Sequence, residues 1–386
     1  PDNEYTRDRN GAPIRPYDMA TDTMFEFMGV RVDPVDGPVG GALQTVAADV
    51  VAAGKVAAGP AGYVLDGRLN DSARAVNRLL ATGARVKRVD KGGGALRAGD
   101  FLVVSAPAAE AEAVAKATGV DFAPLQAVPA SGTHDLKAPR IGMYQRYLGG
   151  NMDEGWTRLL LEQFDFPYTT LHDADIRKGN LNASFDVLIF PDDSTAMITG
   201  ERGAEGSGRG RGPDLASIPP EYRSGIGREG VDAVREFVSR GGTLVALGGA
   251  SQFAIDRLSL PVRSVTAGLP STEFWCPGST LHASFDTTNP LAYGMPAEGL
   301  VVFLGNSLAF EVTATDHSEE YARVVTFPSR DLLESGWLIG ESTLANKAAA
   351  VVGRLGAGKV VLVGFRTQHR AQTHGTYKIL FNALLQ

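Results

Sequence analysis

A chain of 386 residues with 44% apolar and 21% charged side chains has the balance of an ordinary globular protein, and its length suggests two or three domains. The formal net charge of −7 argues against a nucleic-acid binder, which needs a basic face, and no apolar run is long enough for a helix to span a membrane. Cys276 is the only cysteine, so an internal disulfide and a thiolate zinc cage are both excluded.

The chain opens on Pro1, and a polar stretch without helical or strand period follows it. This start lacks the basic and apolar regions of a signal peptide and reads as the continuation of a longer gene product. Residues 1–60 form a connector packed against something upstream, with one short helix expected near residues 19–27. Residues 61–133 read as a small α/β domain. A strand at 62–66 precedes a helix opened by Asn70 as cap, in which Ala73, Val76, Leu79 and Leu80 recur at helical spacing. Gly83 ends that helix. Strands at 85–89 and 101–105 flank a Gly-rich turn at 92–94, and a second helix at 110–118 stops at Gly119.

Residues 130–137 read as a linker. From there apolar strands (140–144, 168–171, 186–190, 243–247 and 358–364) alternate with helices at 154–164, 230–239 and 375–385. That pattern predicts an α/β domain over 137–386, doubly wound around a mostly parallel sheet. Ligands of such sheets sit at the carboxyl ends of the strands.

Several residue groups carry chemistry in principle. The run 241–252, Gly-Gly-Thr-Leu-Val-Ala-Leu-Gly-Gly-Ala-Ser-Gln, resembles the nucleophile elbow of class I glutamine amidotransferases. Gly248 stands at the position of the cysteine, so the elbow lacks its attacking atom, and Ser251 reads as a helix cap. After the last strand, Arg366, His369, Arg370 and His374 fall on one loop. Neither histidine has a carboxylate two residues on, as the amidotransferase triad would need. The plain reading has His374 capping the final helix and Arg366 paired with a carboxylate; the functional reading is a ligand or domain contact. Asp153 and Glu154 follow the first strand of the large domain and Asp192 the third. With Gln145 and the loop arginines they make a candidate binding or docking floor, while Asp153 or Glu154 also reads as a helix cap. His317 and Glu320 match a zinc-ligand spacing within a polar turn, and His172, Asp173 and Asp175 read as a strand-to-loop turn. Residues 203–217 read as a mobile Gly/Arg-rich loop. Cys276 beside Phe274 and Trp275 reads as a buried thiol.

Longer stretches resemble a known family. Arg15-Pro-Tyr-Asp-Met-Ala, Phe27-Met-Gly-Val30 and Asn70-Asp-Ser-Ala-Arg-Ala-Val-Asn-Arg-Leu-Leu80 are similar to segments of long bacterial zinc carboxypeptidases of the carboxypeptidase A-like family. Met152-Asp-Glu-Gly-Trp-Thr-Arg158, Leu171-His-Asp-Ala-Asp175, Pro219-Pro-Glu-Tyr222, Trp275-Cys-Pro-Gly-Ser279, Pro290-Leu-Ala-Tyr-Gly-Met-Pro296 and Gln368-His-Arg-Ala-Gln-Thr-His-Gly375 resemble the amidotransferase-like tail of those proteins. The resemblance implies a parent enzyme that removes C-terminal residues from peptides with a zinc-bound water. The zinc belongs to an upstream catalytic domain, which would be the partner in cis. This chain carries none of the zinc motif, so no cofactor and no metal ligand is expected in it, and no catalytic residue is assigned. The expected role is a non-catalytic accessory region; the alternatives are an amidotransferase-like hydrolase working at the sheet edge, or a sugar- or peptide-binding module. A secreted or periplasmic location is preferred.

Overall fold

The computed structural model describes residues 2–21, 25, 28–30, 32–42, 44, 45, 47, 52–147, 150–201, 219, 222, 225–313 and 320–385. The helix expected over 19–27 lies largely outside the described residues, as do the loop 203–217 and residues 317–319 of the zinc-like spacing.

Two sheets organise the chain. In the small unit, β1 (Tyr63–Leu65), α1 (Asn70–Ala81), β2 (Arg85–Val89), β3 (Phe101–Ser105), α2 (Ala108–Thr118) and β4 (Ala123–Pro124) follow one another. The sheet order is β4-β1-β3-β2, with every neighbouring pair antiparallel. That is a pair of interleaved split β-α-β units, the ferredoxin-like arrangement. β5 (Thr133–Asp135), within the stretch read as a linker, adds a fifth strand beside β2. Gly119 ends α2 with φ 72°, the left-handed conformation a glycine adopts without strain. Asn70 is not a cap. It is the first residue of α1, and its amide instead donates to the His374 carbonyl at 2.9 Å.

The large unit starts with β6 (Ile141–Tyr144), α3 (Met152–Gln163), β7 (Tyr168–Leu171), α4 (Asp173–Arg177), β8 (Val187–Phe190) and α5 (Thr195–Thr199). It continues through α6 (Gly227–Ser239), β9 (Thr243–Leu247), α7 (Gly249–Leu258) and β10 (Val262–Ser264). Next come β11 (Ser279–Phe285), β12 (Glu298–Phe303), β13 (Phe310–Val312), β14 (Tyr321–Thr326) and β15 (Leu333–Ser335). α8 (Glu341–Leu344), β16 (Ala348–Leu355), β17 (Gly358–Val363) and α9 (Tyr377–Leu384) complete it. The main path of the sheet is β12-β11-β14-β16-β17-β9-β8-β6-β7. The expected mostly parallel sheet is therefore corrected to a mixed one. β17, β9, β8, β6 and β7 are parallel neighbours, whereas β12, β11, β14, β16 and β17 pair antiparallel. The reason lies in the connection from β16 to β17: Leu355 pairs with Gly358 across a two-residue turn, which can only reverse the chain.

The parallel strands are apolar on both faces because both are covered. Val187, Ile189, Val245, Leu247, Val361 and Val363 point into one core, which continues through α9 into the small unit. Leu188, Phe190, Leu244, Ala246, Val360 and Leu362 point into the other, under α6 and α7. α9 is buried on every side between the large sheet and the small unit. The connector also packs on this chain: Ala20 and Thr21 donate their amides to the Gly278 carbonyl at 2.7 and 3.1 Å, and residues 54–57 run along the end of α2 and Phe122.

Candidate functional site

The parallel half has the strand order second-first-third-fourth-fifth, so its topological switch point lies between β6 and β8, at their carboxyl ends. Four loops meet there. The β6 loop leads to α3, β8 runs into Pro191-Asp192-Asp193, β9 turns into α7 through Gly248, and β17 runs into Gly364-Phe365-Arg366.

Arg366 is the centre of the cluster. Its Nη1 donates to Asp153 Oδ1 at 3.0 Å, and its Nη2 donates to Asp192 Oδ2 at 2.6 Å and to Asn306 Oδ1 at 2.9 Å. Asp153 Oδ2 accepts the Asp192 amide at 2.9 Å, and Gln368 Nε2 donates to both Asp153 oxygens at 3.2 Å and to Thr157 Oγ1 at 2.9 Å. Asn306 Nδ2 donates to Asp192 Oδ2 at 2.9 Å. Desolvation opposes the Arg366 charge, but Asp153 and Asp192 outweigh it and its pKa rises. The helix cap proposed for Asp153 or Glu154 is Asn151, whose Oδ1 accepts both of their amides. That leaves the Asp153 carboxylate free to point inward.

The turn after β9 has the backbone of an elbow. Gly248 sits at φ 53°, ψ −125°, and its amide donates to the Val363 carbonyl at 2.8 Å. The space that a nucleophile would use is already taken. A Cβ on Gly248 would lie 2.2 Å from Asp192 Oδ1. The amide of Gly249, the residue after the nucleophile position and hence the usual oxyanion donor, is spent on the same oxygen at 2.5 Å. Asp192 thus occupies both the attacking group's room and the oxyanion's donor. Ser251 does not cap α7; its hydroxyl is fully buried and donates back to the Ala246 carbonyl at 2.9 Å.

The remaining candidates are dispersed. Glu154 pairs with Arg158 one turn on, and Arg370 pairs with Asp18 of the connector at 2.6 Å on the surface. Gln145 contributes its backbone, the carbonyl meeting His172 Nδ1 at 2.8 Å. His374 does not cap α9; its ring lies 4.6 Å from that of Tyr377 at the border of the small unit, away from the sheet edge. His172, Asp173 and Asp175 form the turn into α4, with Asp173 accepting from Tyr144 at 2.7 Å. Cys276 is buried, and burial pushes its thiol up to about 12, far from a thiolate. Among the described residues, no group of three or more His, Cys, Asp or Glu side chains is placed to hold a metal. Asp153, Asp192 and Arg366 come together. Asn306 and Gln368, which complete their hydrogen bonding, carry no sequence signal beyond their amide groups.

His369 is 4% exposed, its ring edge-on to Trp156 at 5.0 Å, and neither ring nitrogen has a hydrogen-bond partner among the described residues. Burial, then the charges of Arg366 and Arg370, lower its pKa from 6.5 to about 4. Between those values the unfolded chain binds a proton and the folded one does not, so stability falls as pH drops from 6.5 towards 4. The loss is at most about 3 kcal/mol. Urea unfolding of the wild type and His369→Phe at pH 7 and pH 4.5 checks this: the acid loss should be visibly smaller in the variant, and equal losses would refute it.

No family model and no curated protein matches this sequence. Among solved structures, the chain is similar to a ThuA-like protein from Bacteroides uniformis ATCC 8492, with 12% identity, 67% of this chain and 94% of that one covered, and a TM-score of 0.37. It is also similar to a cytoplasmic protein from Salmonella typhimurium, at 10% identity over 64% of this chain and 99% of that one, TM-score 0.38. PurLQS from Thermotoga maritima is a third likeness, at 12% identity over 64% and 98% of the two chains, TM-score 0.38.

Proposed function

We propose that this chain is a non-catalytic binding region, built from an α/β domain with a sealed elbow and a ferredoxin-like unit docked beside it. The observation that carries the reading is the Asp192 carboxylate lodged where a nucleophile and an oxyanion would sit. Asp153, Asp192 and Arg366 satisfy one another with the help of Gln368 and Asn306, which leaves them little to offer a ligand.

The open surface lies elsewhere. A cleft of about 880 Å³ separates the small unit from the large one, bordered by Asn70, Asp71, Arg74, Glu162, His374 and Lys378 among others. Donors and acceptors of both signs around such a volume suit a peptide or a sugar, whose polar groups need several directed partners. The parentage implied by the zinc carboxypeptidase resemblance rests on sequence segments alone; the comparisons lend it no support, and the binding reading does not depend on it.

Calorimetric titration with a panel of short peptides and oligosaccharides tests the proposal. A ligand from one of the two classes should bind, and Asp71→Asn with His374→Gln should weaken it by about tenfold, the loss of one or two directed hydrogen bonds. Failure of both classes to bind, or hydrolysis of an amide by the purified chain, would sink the reading.

A further inference from the structure

Arg88 is among the most deeply buried charges of the molecule, 2% exposed, on β2 at the junction with the large unit. Its Nη2 donates to Asn382 Oδ1 of α9 at 2.7 Å, while Nε and Nη1 have no hydrogen-bond partner among the described residues. The flat face of the guanidinium lies 4.2 Å from the Phe101 ring centre, a cation–π contact. That contact uses the face and leaves the in-plane N–H groups unsatisfied. Asn382 cannot turn to offer more, because its Nδ2 is held by the Leu291 and Tyr293 carbonyls at 3.0 and 2.9 Å.

A second buried cation faces the same space. Lys378 of α9 is 7% exposed, and among the described residues its Nζ makes a single long contact, 3.4 Å to Asn70 Oδ1. Among the described residues, neither Arg88 nor Lys378 has a carboxylate within ion-pair distance. Both line a cavity of about 10 Å³ that Phe101, Phe381, Leu385 and Asn382 also border. Lys378 also borders the large cleft, which gives an ion a way in.

We propose that this cavity is a binding site for a single monatomic anion, chloride in the first instance, held between Arg88 and Lys378. Two buried cations with unused donors call for negative charge. A space of about 10 Å³ favours a single small occupant over phosphate, sulfate or a carboxylate. Burial, with the neighbouring Arg88 charge second, pulls Lys378 down to about 7, and the more distant carboxylates of Asp66 and Asp71 only partly offset it. Arg88 comes from the small unit and Lys378 from the large one, so the anion couples their docking.

Unfolding of the whole chain, followed at fixed ionic strength while sodium gluconate is exchanged for sodium chloride, tests the site. Chloride should stabilise saturably, with the unfolding constant falling about tenfold at ten times the dissociation constant. Lys378→Met should abolish the chloride dependence. Identical curves in gluconate and chloride, or a chloride effect that survives in Lys378→Met, would overturn the proposal. If the variant does not fold, the chloride-35 NMR linewidth of the wild-type solution decides: broadening that bromide displaces supports the site, and the linewidth of plain buffer refutes it.

Discussion

Replacing Arg366 with methionine is expected to destabilise the fold by about 3–5 kcal/mol, the cost of leaving buried carboxylates without their cation. Asp153 and Asp192 are held within 3.0 and 2.6 Å of the guanidinium, at side-chain exposures of 4% and 11%. Methionine fills much of the volume but supplies no donor, so the loss is electrostatic and not a cavity effect. Adding Asp153→Asn to Arg366→Met should recover part of it, because the amide still accepts from Gln368 and carries no charge. Urea unfolding at pH 7 of the two single variants and the double variant gives the coupling directly. A loss below about 1 kcal/mol for Arg366→Met would mean that the cluster is solvated like a surface pair and seals nothing.

Gly248→Cys should fail to create an enzyme and should cost stability. The substitution restores the residue type of an active elbow, but the backbone angle of φ 53° is unfavourable for a side chain, and the new Cβ meets Asp192 at 2.2 Å. Backbone strain and overpacking each contribute about 1–3 kcal/mol. Thermal unfolding should therefore shift downwards, and glutamine hydrolysis should stay at the level of buffer. Asp192→Gly in the same chain removes the clash and frees the Gly249 amide, so the double variant should show a thiol more reactive towards a maleimide than the single one. Measurable glutaminase activity in Gly248→Cys alone would end the sealed-elbow reading.

The parts legible from sequence were those set by local pattern. Apolar runs such as Val187-Leu-Ile-Phe190 announce strands covered on both faces, and Gly248 after such a run announces a turn at positive φ. The antiparallel half was not legible, since the positions of β11, β12 and β14 depend on pairing between distant segments that no local period encodes. One local clue was there: the Gly356-Ala357 pair between two apolar runs is a hairpin signal, with Gly356 at φ 63°. The charged cluster was half legible. Asp153, Asp192 and Arg366 could be assigned to one edge, but that they face each other depended on Asn306, from the loop after β12, and on Gln368, two residues beyond Arg366. Asn70 misled because the residue types that cap helices also make good contacts between units.

The mixed sheet also governs the order in which the molecule can assemble. β9 finds β8 in chain already behind it, but its other neighbour, β17, follows only after the entire antiparallel half. Until that half is made and reversed, the open side of β9 is an apolar, unpaired strand edge, the kind of surface that recruits other chains. Closure of so long a loop is slow, because its entropy cost precedes any reward from pairing. Refolding from denaturant thus has its hazardous interval before β17 docks, and yield depends more on protein concentration in that interval than on final stability.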